Sequence, residues 1–216
     1  METLLICGGI IEEDFALDFL KKNTWDYVIA VDRGLNFCYE HQLQPDHILG
    51  DFDSSDPKIL EFYKKQECIP VREYNPVKDY TDTQIGVELA CQMGSTRITL
   101  LGATGGRLDH FWGNVQVLSI PARAKIPAAI VDAQNYITLL WENTVLEKAR
   151  QYGKYVSFFP LGDCVENLTL RGFQYPLTNH RMVNTDGLTV SNEIIEEKAY
   201  VSFTSGMVIM MMTKDA

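Results

Sequence analysis

The 216-residue chain has no apolar run long enough to cross a bilayer; its longest such stretch, Met207 to Met212, suits a buried strand. The chain opens directly into a strand-like segment, without the basic region and cleavage site of a secretory leader. Cysteines are few. Cys7, Cys38, Cys68, Cys91 and Cys164 are odd in number, scattered and never arranged as CxxC, which argues against a disulfide framework or a zinc site. Reduced thiols and a cytoplasmic setting are expected. Positive charge is also short, with 19 Lys and Arg against 29 Asp and Glu and a formal net charge of −10. That balance disfavours nucleic acid or an anionic membrane surface as the main partner. It leaves a nucleotide possible, because a metal ion and a few local basic residues can hold a triphosphate. The chain contains neither GxGxxG nor the Walker GxxxxGK[ST] pattern, and we find no internal repeat or low-complexity linker.

What is present describes a globular protein, with 46% hydrophobic and 22% charged residues. Up to about Asp132 the chain alternates apolar runs with helix-like patterns. Thr3–Cys7, Tyr27–Val31, His47–Leu49, Cys68–Val71, Arg97–Leu101 and Ala128–Val131 read as strands. The segments between them carry helical apolar spacing, notably the one opened by Pro57, then Thr81–Met93 and Asp109–Ser119. This repetition predicts an α/β unit with a mostly parallel sheet and helices on both faces. From Asn135 onward the runs are short, β-branched or aromatic, and separated by Gly, Asn and Pro. Strands are expected at Asn135–Leu140, Lys154–Phe159, Val165–Leu170, Leu188–Val190, Glu196–Thr204 and Met207–Thr213, with Ser205-Gly206 joining the last two as a hairpin. The expectation is a small antiparallel β-sandwich or barrel. We therefore divide the chain into residues 1–133 and 134–216.

The chemistry centres on Leu49 to Ser54, LGDFDS. Asp51 and Asp53 follow a short strand on a loop freed by Gly50, and paired carboxylates suit a hard cation such as Mg²⁺. In open α/β sheets, ligands gather at the carboxyl ends of strands. In NPVKDYTDTQ (residues 75–84), Thr81 and Gln84 fit a capping box, placing Asp82 in a first helical turn as a possible third carboxylate. Lys78 could meet a phosphate. In GATGGRLDH (102–110), three glycines let the backbone approach an anion, Arg107 suits bidentate phosphate binding, and Asp109 reads as the N-cap of the next helix. His110 and Asn114 lie on that helix. GLTVSNE (187–193) offers Ser191 and Asn192 as small hydrogen-bonding residues at a strand end. Each segment alone is an ordinary loop.

In order and together, LGDFDS, KDYTDTQ, LGATGGRLDH with Asn114, and VSNE resemble thiamine pyrophosphokinase of the bacterial kind over nearly the whole chain. The resemblance implies a Rossmann-like catalytic domain followed by a thiamine-binding β-sandwich. It further implies a homodimer with active sites at the subunit interface. The implied reaction is Mg²⁺-dependent transfer of a pyrophosphoryl group from ATP to the thiamine hydroxyl, giving AMP and thiamine diphosphate. Asp51, Asp53 and Asp82 are then the metal carboxylates. Lys78, Thr81, Gln84, Arg107 and Asp109 become phosphate-site or ordering groups, with His110 and Asn114 on the nucleotide side, and Ser191 and Asn192 become thiamine contacts. Asp53 or Asp109 would take the hydroxyl proton, a choice the sequence leaves open. The chain has Asp32-Arg33-Gly34 where relatives often carry glycine directly after the aspartate. Two other readings compete: a phosphohydrolase using Asp51 and Asp53 as a DxD pair, and a non-catalytic thiamine- or nucleotide-binding module. Gly50 before the pair and Ser54-Ser55 after it fit the hydrolase pattern poorly.

Overall fold

In the computed structural model, residues 1–52, 56–66, 69–74 and 79–215 are described, and they form two compact units, Met1–Ala133 and Gln134–Ala216. The first unit alternates strand and helix: β1 (Glu2–Ile6), α1 (Glu13–Lys22), β2 (Tyr27–Val31), α2 (Gly34–Glu40), β3 (His47–Gly50), α3 (Pro57–Lys64), β4 (Val71–Glu73), α4 (Asp82–Gln92), β5 (Arg97–Leu101), α5 (Leu108–Val117), α6 (Ser119–Arg123) and β6 (Ala128–Val131). The six strands pair in parallel in the order β4-β3-β2-β1-β5-β6. Leu4, Leu5 and Ile6 of β1 are all fully buried, as are Ile29 and Ala30 of β2. Successive strand residues point to opposite faces, so continuous burial means that both faces are covered. On one face Gly86 of α4 lets the helix settle onto Leu5, Val31 and Leu49. Local signals start the helices where the sequence suggests. Asp56 caps α3 by accepting from the Lys58 amide at 2.9 Å, just ahead of Pro57.

Most boundaries in this unit agree with expectation to within a residue, and the larger differences lie at the fourth strand and at the helix after β5. The fourth strand is Val71–Glu73, later than Cys68–Val71, and Cys68 itself lies outside the described residues. The helix expected over 109–119 begins at Leu108 and yields to the short α6 at Ser119. Asp109 is accordingly not its N-cap: Arg107 occupies that position, and Asp109 lies in the first turn.

The second unit is antiparallel. Its strands are β7 (Asn135–Leu140), β8 (Thr144–Glu147), β9 (Tyr155–Arg171), β10 (Leu177–Val183), β11 (Asn192–Glu193), β12 (Lys198–Ser202) and β13 (Ser205–Thr213). The organising element is β9, a single 17-residue strand where two strands are expected. Pro160, which has no amide to donate, and Gly162, at φ +100°, sit at the midpoint and bend the strand without ending it. Its first part pairs with β13 and β11, and its second part with β10 and β12. Because β9 lies between β12 and β13, those two do not form the expected hairpin; β12 pairs instead with β8 and β9. Residues 188–190 form a turn, not a strand, whereas β8, β10 and the two-residue β11 are additions to the expected set. One core joins the unit, with Phe158, Phe173, Leu168, Met182 and Val208 at its centre. Met210 and Met212 of the methionine-rich last strand are buried there too.

Candidate functional site

In the first unit β1 has β2 on one side and β5 on the other, so the chain reverses its direction of winding between β1 and β5. At such a switch point the loops leaving neighbouring strands diverge and open a crevice at their carboxyl ends. A cavity of about 810 Å³ lies there. Cys7-Gly8-Gly9-Ile10 after β1 and Gly102–Arg107 after β5 line it, together with Asp32 and Arg33 after β2, Asp51 after β3, residues 79–83 entering α4, and the first turns of α5.

Backbone bonds tie the two central loops past the ends of their strands. The Gly9 amide donates to the Gly102 carbonyl at 2.7 Å, and the Ile10 amide to the Thr104 carbonyl at 3.1 Å. A methyl group on Gly9 would lie 2.4 Å from the Gly102 oxygen, so only glycine permits this approach. Gly105 and Gly106 adopt positive φ, +79° and +66°, and wind the second loop into α5. Asn114, on that helix, donates from Nδ2 to the Ala103 carbonyl at 2.9 Å and fastens the loop from below.

Charge is arranged around this scaffold. Arg107 donates to Asp109 through Nε at 3.1 Å and through a terminal nitrogen at 2.5 Å. The guanidinium, opposed by desolvation, holds the Asp109 carboxyl down at about 2, and the His110 amide bond assists. Both side chains are exposed, so the pair is a weak anchor that an incoming anion can rearrange. Across the cavity Thr81 caps α4, accepting from the Gln84 amide at 3.2 Å, and Asp82 occupies the first turn. Only half of the expected capping box forms, since the Gln84 side chain turns to Glu88 at 2.9 Å. Cys7, on the cavity floor, is fully buried, and burial pushes its thiol up to about 12 despite a hydrogen bond with Thr83; it is no nucleophile.

Asp51, Thr81, Asp82, Arg107, Asp109, His110 and Asn114 therefore meet in one cavity. Gln84 does not line it, and Asp53 and Lys78 lie outside the described residues. The sequence reading noted Asp32-Arg33 without giving either a site role and passed over Gly8-Gly9; their position at the ends of the first two strands, beside the reversal of strand order, is the signal that could have placed them in the site. Asp51 and Asp82 supply the hard oxygen donors that Mg²⁺ prefers, although among the described residues no cluster of three or more His, Cys, Asp or Glu side chains is placed to hold a metal ion.

Ser191 and Asn192 belong to the second unit. Ser191 is exposed, and its φ of +55° is unusual for a non-glycine residue. Asn192 is 1% exposed, and its amide is occupied locally, accepting from the Tyr175 amide at 3.0 Å and donating to the Tyr175 carbonyl at 2.8 Å.

Comparison with known proteins decides between the readings. Residues 20–130 match the family model described as "Thiamin pyrophosphokinase, catalytic domain", and residues 142–208 match "Thiamin pyrophosphokinase, vitamin B1 binding domain". The chain belongs to the thiamin pyrophosphokinase family. Thiamine pyrophosphokinase of Bacillus subtilis is 32% identical over 87% of each chain. The crystal structure of the Bacillus subtilis enzyme superposes with a TM-score of 0.87 at 29% identity, and that of Geobacillus thermodenitrificans thiamin pyrophosphokinase with 0.83 at 33%; in both the alignment covers all of this chain and at least 99% of the other. The family is one of ATP-dependent kinases that move a pyrophosphoryl group to thiamine, which sets aside the hydrolase and non-catalytic readings. Among the described residues no helix is long and apolar enough to cross a membrane.

Proposed function

We propose that this chain converts thiamine and ATP to thiamine diphosphate and AMP at the switch-point cavity, with Mg²⁺ held by Asp51, Asp82 and Asp53. The observation that carries the reading is the convergence of Asp51, Asp82 and the Arg107–Asp109 loop on one cavity. Bound Mg²⁺ would supply charge neutralisation on the phosphate oxygens. The glycine loops at 8–9 and 102–106 present backbone to the polyphosphate, and Arg107, with Lys78, offsets the charge that develops on it. The thiamine hydroxyl oxygen attacks the β-phosphorus, the bond from that phosphorus to the α-β bridging oxygen breaks, and AMP departs with the bridging oxygen. The hydroxyl proton passes to a carboxylate. A carboxyl held at about 2 accepts a proton poorly at neutral pH, so we assign Asp109 to orienting Arg107.

We assign thiamine recognition to the 186–192 segment of the second unit, with Ser191 as the direct contact and Asn192 as its support. We further propose a homodimer with active sites at its interface. A cytoplasmic location fits Cys7, Cys38, Cys91 and Cys164, all of which are free thiols. The test is Asp51→Asn and Asp82→Asn, assayed for AMP formation across a Mg²⁺ titration. Each should lower kcat by about a hundredfold or more with an unchanged melting temperature. Near-parental turnover in either variant removes that residue from the metal site.

A further inference from the structure

The segment from Asp186 to Asn192 is irregular, yet it is pinned at nearly every second residue. Asp186 sits at its start, with its side chain only 9% exposed. Its carboxylate bonds His180 Nε2 on β10 and also accepts from the Leu188 amide at 2.9 Å. Thr189 is fully buried; its hydroxyl donates to the Phe158 carbonyl at 2.5 Å, and its carbonyl accepts from the Phe158 amide at 3.1 Å. The Ser191 amide donates to Ser157 Oγ at 2.9 Å. Between these anchors the segment turns Leu188 (63% exposed) and Val190 (46% exposed) outward, beside the exposed Ser191. Ser191 holds its left-handed backbone only because its surroundings fix it, and such strain concentrates where a ligand is clamped. Two apolar side chains and a hydroxyl on a braced turn match a ring-bearing ligand with one hydrogen-bonding edge.

We infer that His180 and Asp186 are positioning residues for thiamine: their bond sets the turn that presents Leu188, Val190 and Ser191 to the substrate. This rests on the reading that Ser191 contacts thiamine. Neither residue touches the substrate. The Thr189 and Asn192 anchors hold the segment to β9 and to Tyr175, whereas the 186–188 end is held to β10 by the Asp186 amide, which donates to the Val183 carbonyl at 2.9 Å, and by the His180–Asp186 bond, the side-chain link that orients the Asp186 carboxylate toward the Leu188 amide.

The experiment is steady-state kinetics of the full-length enzyme, varying thiamine and ATP separately. His180→Ala and Asp186→Ala should each raise KM for thiamine about tenfold, the scale of one lost charge-assisted hydrogen bond. KM for ATP and kcat should stay within about twofold. His180→Gln, which retains an N–H donor, should recover most of the loss. An unchanged thiamine KM in His180→Ala, alongside a raised one in Ser191→Ala, would overturn the positioning role while leaving the contact intact. An unchanged thiamine KM in Ser191→Ala would overturn the contact itself, and the inference with it. A parallel fall in kcat and in affinity for both substrates would mark His180 as merely structural and also overturn the inference. Hydrogen exchange on the parent enzyme tests the same point if the variants fail to fold. The Leu188 and Ser191 amides should be protected before thiamine is added, and fast exchange there in the free enzyme would contradict a preset turn.

Discussion

Gly9→Ala probes the junction between the two glycine loops that line the switch-point cavity. The added methyl would stand 2.4 Å from the Gly102 carbonyl oxygen and 2.6 Å from that of Thr104, where real Cβ contacts under 3.0 Å are essentially never seen. Both obstacles are backbone, so no side-chain rotation relieves them. The loops must part by about half an ångström or more, stretching the 2.7 Å bond from the Gly9 amide to Gly102. Overpacking of this kind costs about 1–3 kcal/mol, which for a protein of this size lowers the melting temperature by about 2–12 °C. The functional effect should be larger than the stability effect, since a misplacement of about 1 Å around a reacting group can cost about a hundredfold. We expect kcat/KM for ATP to fall between about tenfold and a hundredfold, with KM for thiamine unchanged. If Gly9→Ala kept kcat/KM for ATP within about twofold and melted like the parent, the close approach of these loops would have no bearing on nucleotide binding.

Two further outcomes follow from packing and charge. His47 is 5% exposed, and burial, reinforced by Arg72, lowers its pKa below 6.5. The unfolded chain therefore binds more protons there, and this group's stabilising share, complete at neutral pH, is lost as pH falls from about 6.5 toward the lower folded-state value. His47→Leu should show a shallower fall in melting temperature between pH 7.5 and 5 than the parent, and identical slopes would contradict the assignment. Phe158→Ala empties the centre of the second unit, where Phe158 is fully buried and packs edge-on against Phe173 at 5.6 Å. We expect denaturant unfolding to register a loss of about 3–5 kcal/mol, and a loss below 1 kcal/mol would mean that the site collapses freely.

The first unit was legible from sequence because its central strands are buried on both faces and read as solid apolar runs, whereas the edge strand β4, Val-Arg-Glu and largely exposed, was displaced from its expected position. Tyr27–Val31, Arg97–Leu101 and Ala128–Val131 come out with the same bounds in sequence and structure. The second unit was less legible. Pro160 and Gly162 look like a strand break, but β9 passes through them, and that continuity removes the expected hairpin between β12 and β13. Residue types and spacing named Asp51, Thr81, Asp82, Arg107 and Asp109, which do share one cavity. They could not reveal that Arg107, not Asp109, stands at the helix N-cap, because both precede the same apolar face. Nor could they show that the Asn192 amide is occupied by Tyr175, a bond between positions 17 residues apart. Gly8-Gly9 and Arg33 carry no motif of their own and become functional candidates only through the order of the strands.

The most direct test is a product assay on the purified protein with ATP, thiamine and Mg²⁺, separating nucleotides from thiamine species. Equal amounts of AMP and thiamine diphosphate, both lost when Mg²⁺ is withheld, are the expected result. ADP with thiamine monophosphate, or phosphate released whether or not thiamine is present, would contradict pyrophosphoryl transfer at this cavity.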